Sequence, residues 1–264
     1  MGIELFVIHL ARAQSRAPNV KHLIESLPLP GRIIEAVDGR DLTDDEVRAV
    51  YRPRLHRPLY PFALSRNEIA CFLSHRRAWQ AILDHDLDAA LIMEDDAAPN
   101  GDFLAGLNLA IENLQTCGFI RFPFRDGREW GCRTKVAGQV RLMAPRLVGL
   151  GMVTQLVSRT AAAQLLRATE VFDRPVDTLL QMPWASGIAP WSVSPATVRE
   201  ISPSIGGTTL QKQRDRAAKL HREIMRPFYR LQLLLHSGFS SIRVADRSLD
   251  GDMPIAATEA PPTA

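Results

Sequence analysis

The segment from Ser65 to Asp96, SRNEIACFLSHRRAWQAILDHDLDAALIMEDD, restricts the fold more than any other part of the chain. Ser65 is followed three residues later by Glu68, the spacing of a capping box. Ile69, Phe72, Leu73, Trp79, Ile82 and Leu83 then recur at helical intervals. The pattern predicts a largely buried helix from Arg66 to His85 that leads into a short strand, AALIM. That strand ends in three consecutive carboxylates, Glu94, Asp95 and Asp96. Adjacent acids repel one another, so the triplet needs either full solvation or a positive partner.

The chain opens on a related pattern. IELFVIHL (3–10) has strand length, a helical pattern follows through Val20, Leu23, Ile24 and Leu27, and Pro28 and Pro30 end it. GRIIEAVDG then reads as a second strand turning at Asp38-Gly39. A strand–helix–strand opening favours an α/β sheet. Thr43 and Glu46 form a second capping-box pair, and the proline-rich stretch 51–64 is expected to be an irregular loop. A new helix is expected near Gly101-Asp102 and strands at 118–124, 140–144 and 151–157, with a Gly/Arg-rich loop at 125–139. Ser158 caps the helical RTAAAQLLRATE, RPVDTLLQMPW reads as a short helix, and GIAPWSVSPATVRE reads as a strand leading into a proline-marked loop.

With 264 residues, 46% of them hydrophobic and 23% charged, the chain is long and apolar enough for a sizeable core. Cys71, Cys117 and Cys132 lack metal-type spacing, and so sparse a set suits a reducing compartment. The N-terminal apolar run is broken by His9 and lacks a basic leader, so it reads as a strand rather than a signal peptide. No apolar run approaches the roughly 20 residues that span a bilayer. The expectation is a soluble cytoplasmic protein.

Charge is distributed unevenly. Residues 212–247 hold nine Lys+Arg against three Asp+Glu, while 1–211 are balanced at 23 of each. The basic stretch 210–236 has helical spacing broken at Pro227 and carries Leu220, Ile224, Phe228, Leu231 and Leu235. Two readings fit it: a helix lying on an anionic membrane, each basic residue contributing about 1 kcal/mol, or a helix packed on the domain with a solvated basic face. No nucleic-acid partner is expected, because no recognition motif interleaves the basic residues.

Taken separately, the polar constellations leave their chemistry open. The acids at 94–96 fit a solvated turn, the start of the next helix, or a hard divalent cation beyond the carboxyl end of a strand. Alternation along an extended segment puts Glu94 and Asp96 on one side and Asp95 on the other. Ser74 and His75 fit a hydrogen-bonded helix pair or a catalytic one, and Cys71 reads as a buried small hydrophobe. Asp177 fits a helix cap. Arg12 and Arg16 fit a phosphate site or a solvated turn.

In order, FVIHLARAQSR, EAVDGRDL, SRNEIACFLSHRRAWQAIL, ALIMEDDAAP, VSRTAAAQLL, RPVDTLL and IAPWSVSPATVREIS resemble glycosyltransferase family 25. That family includes bacterial lipopolysaccharide and lipooligosaccharide galactosyltransferases and has relatives among procollagen galactosyltransferases. The resemblance runs from residue 3 to about 205. It implies a GT-A-type α/β fold, with a Rossmann-like central mixed, mostly parallel sheet flanked by helices. The expected organisation is a glycosyltransferase domain over 1–207, a basic helical extension over 208–245 and a disordered tail over 246–264.

The implied activity is inverting transfer of a hexose, galactose from UDP-galactose foremost, to a lipid-linked or oligosaccharide acceptor of the cell surface. The acceptor would place the protein at the cytoplasmic face of the inner membrane. By resemblance, Glu94 and Asp96 hold Mn²⁺ or Mg²⁺ on the donor diphosphate, and Arg16, Ser74 and Asp95 lie on the donor side. Asp177 leads as general base, with Glu68 and His75 as further catalytic candidates. The chain departs from the family pattern at His9, where Asn is usual, and at Ala70, where Gly is usual. The contrasting expectation is a non-catalytic glycan- or nucleotide-binding protein that kept the fold.

Overall fold

The computed structural model describes residues 2–127, 129, 131–204 and 225–236. Strand β1 (Ile3–His9), helix α1 (Ala17–Ser26) and strand β2 (Gly31–Glu35) form the opening βαβ unit, followed by α2 (Asp44–Val50) and α3 (Arg66–Asp84). Both predicted capping boxes are made, Thr43 with Glu46 and Ser65 with Glu68. Then come β3 (Ala89–Glu94), β4 (Ala97–Pro99), α4 (Phe103–Glu112), α5 (Leu114–Cys117) and β5 (Phe119–Arg121). The later elements are β6 (Gly131–Ala137), β7 (Val140–Pro145), β8 (Thr154–Ser158), α6 (Arg159–Ala168), α7 (Val176–Leu179), α8 (Pro183–Ser186), β9 (Trp191–Ser194) and β10 (Val198–Glu200). Residues 225–236 form a further helix, α9.

Eight strands make one mixed sheet in the order β2-β1-β3-β8-β5-β9-β7-β6, and β4 pairs separately with β10. Only β7 and β8 run against the other six strands. Helices cover both faces, as the strands' alternation requires. Phe6 and Ile8 of β1 and Ile92 of β3 pack with Phe72, Trp79 and Ile82 of α3 and Leu165 of α6. Leu5, Val7, Leu91 and Met93 face the other way, onto Val20 and Leu23 of α1 and Phe103 and Leu107 of α4.

Two expectations are corrected. The stretch 125–139 is not all loop, because β6 occupies its second half and pairs antiparallel with β7 through a turn in which Gly138 has φ +61°. GCRTKVA has neither apolar alternation nor a continuous apolar run, since an edge strand is paired on one side and need not be buried. RPVDTLLQMPW makes two one-turn helices, α7 and α8, rather than one.

Helix α9 packs on the domain. Tyr229 and Leu233 are buried against Met182, with Tyr60 and Trp184 beside them. Fully buried Arg174 ties this corner together, donating to Tyr229 Oη at 2.6 Å, to the carbonyls of His56 and Pro58 at 3.1 Å, and to Asp173 at 2.6 and 2.9 Å. Of the expected extension over 208–245, only 225–236 is described, and the expected tail over 246–264 lies outside the described residues.

Candidate active site

The chain leaves β1 on the α1 side to reach β2, then crosses beneath the sheet through α3 to β3 on β1's other flank. Strand order therefore reverses between β1 and β3, and the crevice beyond their carboxyl ends is the natural ligand position in such a sheet. A cavity of about 650 Å³ opens there. All eight residues singled out from the sequence line it: Arg16, Glu68, Ser74, His75, Glu94, Asp95, Asp96 and Asp177.

The three acids do different things. Parallel register sets Ile8 beside Glu94, and so His9 beside Asp95. Asp95 turns into that framework, accepting from His9 Nδ1 at 2.8 Å and from Arg16 Nη1 at 2.5 Å. Asn19 Nδ2 pins the turn by donating to the carbonyls of Asp95 and Ala97, at 2.9 and 3.0 Å. Arg16 also lies 3.1 Å from Asp96 Oδ2. Burial opposes its charge, but the Asp95 hydrogen bond and the neighbouring acids hold its pKa above the ordinary value. Asp96 is the exception: its Oδ1 is buried with no hydrogen-bond partner among the described residues. Burial, with the charge of Glu94 next, pushes the Asp96 carboxyl up to about 7 against the pull of Arg16.

Glu94 accepts from His75 Nε2 at 3.2 Å, and His75 Nδ1 lies 2.9 Å from Gln155 Nε2. Cys71, one turn before His75 on α3, completes a group with ligand atoms within 4.8 Å of one another, Cys71–His75–Glu94. Burial and the surrounding acids raise the Cys71 thiol well above its ordinary value, so it is protonated at neutral pH. His75 Nε2 is engaged with Glu94. The oxygen pair Glu94 and Asp96 is thus the better donor set for a hard divalent cation, and the orphaned Asp96 Oδ1 is the atom such an ion would satisfy.

Asp177 heads α7. Its carboxylate accepts from Gly151 N at 2.9 Å and from Thr178 N at 2.7 Å and Oγ1 at 3.2 Å, which leaves one lone-pair direction for a further donor. Gly151 adopts φ +93°, and a Cβ there would lie 2.2 Å from Phe124 Cε1, so the residue that aims an amide at Asp177 has to be glycine. Arg121 braces that loop by donating to the carbonyls of Leu150 and Gly151. Glu68 Oε2 is occupied by the cap, accepting from Ser65 N and Oγ at 2.7 and 2.8 Å. The Ser74 hydroxyl donates to Ala70 O and accepts from Val37 N, holding the loop after β2 against α3.

A family model described as glycosyltransferase family 25 (LPS biosynthesis protein) matches residues 3–180. The chain belongs to glycosyltransferase family 25. Within the family it is 31% identical over 114 residues to human procollagen galactosyltransferase 2, which is 42% of this chain and 18% of that protein. It is 33% identical over 96 residues to zebrafish procollagen galactosyltransferase 1, 35% of this chain and 16% of that protein. Human inactive glycosyltransferase 25 family member 3 matches at 30% over 115 residues, 42% and 19% of the two chains. The matched segment is thus under a fifth of each of these relatives. Among solved structures, mannose-1-phosphate geranyltransferase from Thermus thermophilus overlaps with a TM-score of 0.40 at 11% identity, covering 73% of this chain and 74% of that one. Strand order, not that likeness, defines the fold.

Several residues that line or support the cavity of this family 25 member escaped the sequence reading. Arg226, Tyr229 and Arg230 bring α9 into the wall, which helical spacing shows only once the docked face is known. His9, read as a departure from the family, is Asp95's hydrogen-bond donor, a role visible only in the β1–β3 register. Gln155 and Thr154, buried in β8, carried a weak signal as polar residues inside an apolar strand.

Proposed function

We propose that this family 25 chain is an inverting hexosyltransferase that moves galactose from UDP-galactose to a lipopolysaccharide-type or other cell-surface glycan. The observation that carries the reading is the buried, unpartnered Asp96 Oδ1 beside Glu94 at the switch point. Six carboxylates and four arginines line the cavity, so a nucleotide diphosphate would meet a net negative wall. Glu94 and Asp96 would hold a divalent cation, which would supply the positive charge that the diphosphate needs as it leaves.

The chain's own residues account for the rest. Asp177 takes the proton of the acceptor hydroxyl as its oxygen bonds to the anomeric carbon. The bond from that carbon to the diphosphate oxygen breaks with its electron pair, UDP departs, and a single displacement inverts the configuration. Glu68, tied into its cap, ranks behind Asp177, and His75 serves by orienting Glu94. Arg16, paired with Asp95 and close to Asp96, offsets part of the repulsion among the acids. Ser74 and Asp95 shape the donor side through the loop after β2 and the end of β1.

A lipid-linked acceptor would be met at a membrane. Among the described residues no helix is long and apolar enough to cross one. Helix α9 nonetheless turns Phe228, Leu231 and Leu235 outward, each more than half exposed, within a stretch of sequence rich in basic residues. Flotation with vesicles containing anionic lipid is expected to recover the full chain and to lose it in Phe228→Ser/Leu231→Ser; equal recovery would exclude α9 as the contact.

The activity test is UDP release across a panel of nucleotide sugars and acceptor glycans with manganese present. UDP-galactose is expected to give turnover, and Asp177→Asn to abolish transfer while UDP binding persists. Normal turnover in that variant would remove Asp177 as base. Nucleotide binding without turnover on any donor would favour the non-catalytic reading, which the inactive relatives make a concrete alternative.

A further inference from the structure

A fully buried glutamine inside strand β8 has no packing reason to be polar. Gln155 lies opposite Ile92 in the β3–β8 register, two residues before the acids, and its amide is sandwiched between two rings of α3. Trp79 Nε1 lies 3.4 Å from Gln155 Oε1, and His75 Nδ1 lies 2.9 Å from Gln155 Nε2. His75 Nε2 then reaches Glu94 Oε1 at 3.2 Å.

The direction of every bond in this series is forced. An indole N–H can only donate, so the amide oxygen must face Trp79 and the amide NH₂ must face His75. His75 Nδ1 must therefore accept, and a proton there would point into the amide's own N–H. The imidazole carries its proton on Nε2 and gives it to the Glu94 carboxylate. Turning the amide over would orphan Trp79 and reverse the tautomer, and a buried polar series with one member wrong is costly at each end.

We infer that Gln155 is a positioning residue: it fixes His75 as the Nε2–H tautomer, and His75 thereby holds Glu94 with its second oxygen left for the cavity. The inference rests on the proposed role of Glu94. It removes His75 from the candidates for proton acceptor, since the nitrogen facing the cavity acid already bears the proton. It also excludes Cys71–His75–Glu94 as a ligand set while Gln155 is in place, because Nε2 has no lone pair to offer.

The test reads the tautomer directly, from long-range ¹H–¹⁵N correlation spectra of the full ligand-free chain with ¹⁵N-labelled histidine, His75 being assigned by its loss in His75→Gln. The wild type is expected to show the Nε2–H pattern. Gln155→Glu can only accept at that position, so it is expected to abolish the pattern and lower kcat for UDP release by 10- to 100-fold, as loss of an outer support typically does, with acceptor KM within about twofold. Trp79→Phe frees the amide to turn and is expected to give a mixture of tautomers, which keeps the inference testable if the glutamate variant folds poorly. An Nδ1–H pattern in the wild type would overturn it, as would an unchanged pattern in both variants or full kcat with an altered tautomer. A chain without turnover would sink the transferase reading, while the spectrum would still decide the tautomer.

Discussion

Asp95 and Asp96 are neighbours with opposite physical characters, and substitution should separate them. Asp95 neutralises buried Arg16 and accepts from His9. Asp95→Ala removes the acceptor of His9 and the nearer of the two carboxylates on Arg16 and is expected to cost about 3 kcal/mol in denaturant unfolding. Asp96 is held in the fold against its own charge. Its carboxyl is pushed up to about 7, above the ~3.9 of an unfolded chain, so the stability tied to its proton is full below about pH 4 and is lost as pH rises toward 7. Asp96→Asn removes that loss and is expected to raise the melting temperature of the metal-free protein at pH 8, while abolishing metal-dependent nucleotide binding. A lower melting temperature would contradict the assignment. The sequence placed these acids at a strand's end and resemblance singled out Asp96, but strict alternation misplaced the reason. Asp95 turns away because the chain turns there and because His9 waits in the neighbouring strand, and cross-strand register is not written in local pattern.

Among the elements, α3 was legible in full, because cap, periodicity and length agreed over 19 residues. Strand β6 was not, since an edge strand can be polar on both faces, and α9 was legible as a helix but ambiguous in its face. Its docked stripe of Arg226, Tyr229, Arg230 and Leu233 alternates around the helix with the outward stripe of Phe228, Leu231 and Leu235, so both readings of the segment have a face to stand on. The docked face brings two of the cavity's four arginines. Arg226→Gln/Arg230→Gln is expected to weaken UDP binding several-fold and to leave uridine binding unchanged, because only the diphosphate offers an anion to a guanidinium. Equal loss for both ligands would instead mean that α9 had undocked, which susceptibility to limited proteolysis would report.

At the scale of the molecule, a sheet whose strand order reverses between β1 and β3 gathers residues from four separated stretches of chain into one cavity. The stretches at 16, 68–75, 94–96 and 177 were each equivocal alone, and their common destination follows from topology, which motif order implies only through the family. In the proposed function, Glu94 and Asp96 make nucleotide binding depend on a divalent cation. Calorimetric titration of UDP into the full chain, with manganese and then with excess chelator, tests it most directly. Binding that requires manganese, disappears in Asp96→Asn and survives in Asp177→Asn is the expected result; binding of equal strength in chelator, or undiminished in Asp96→Asn, would contradict the account.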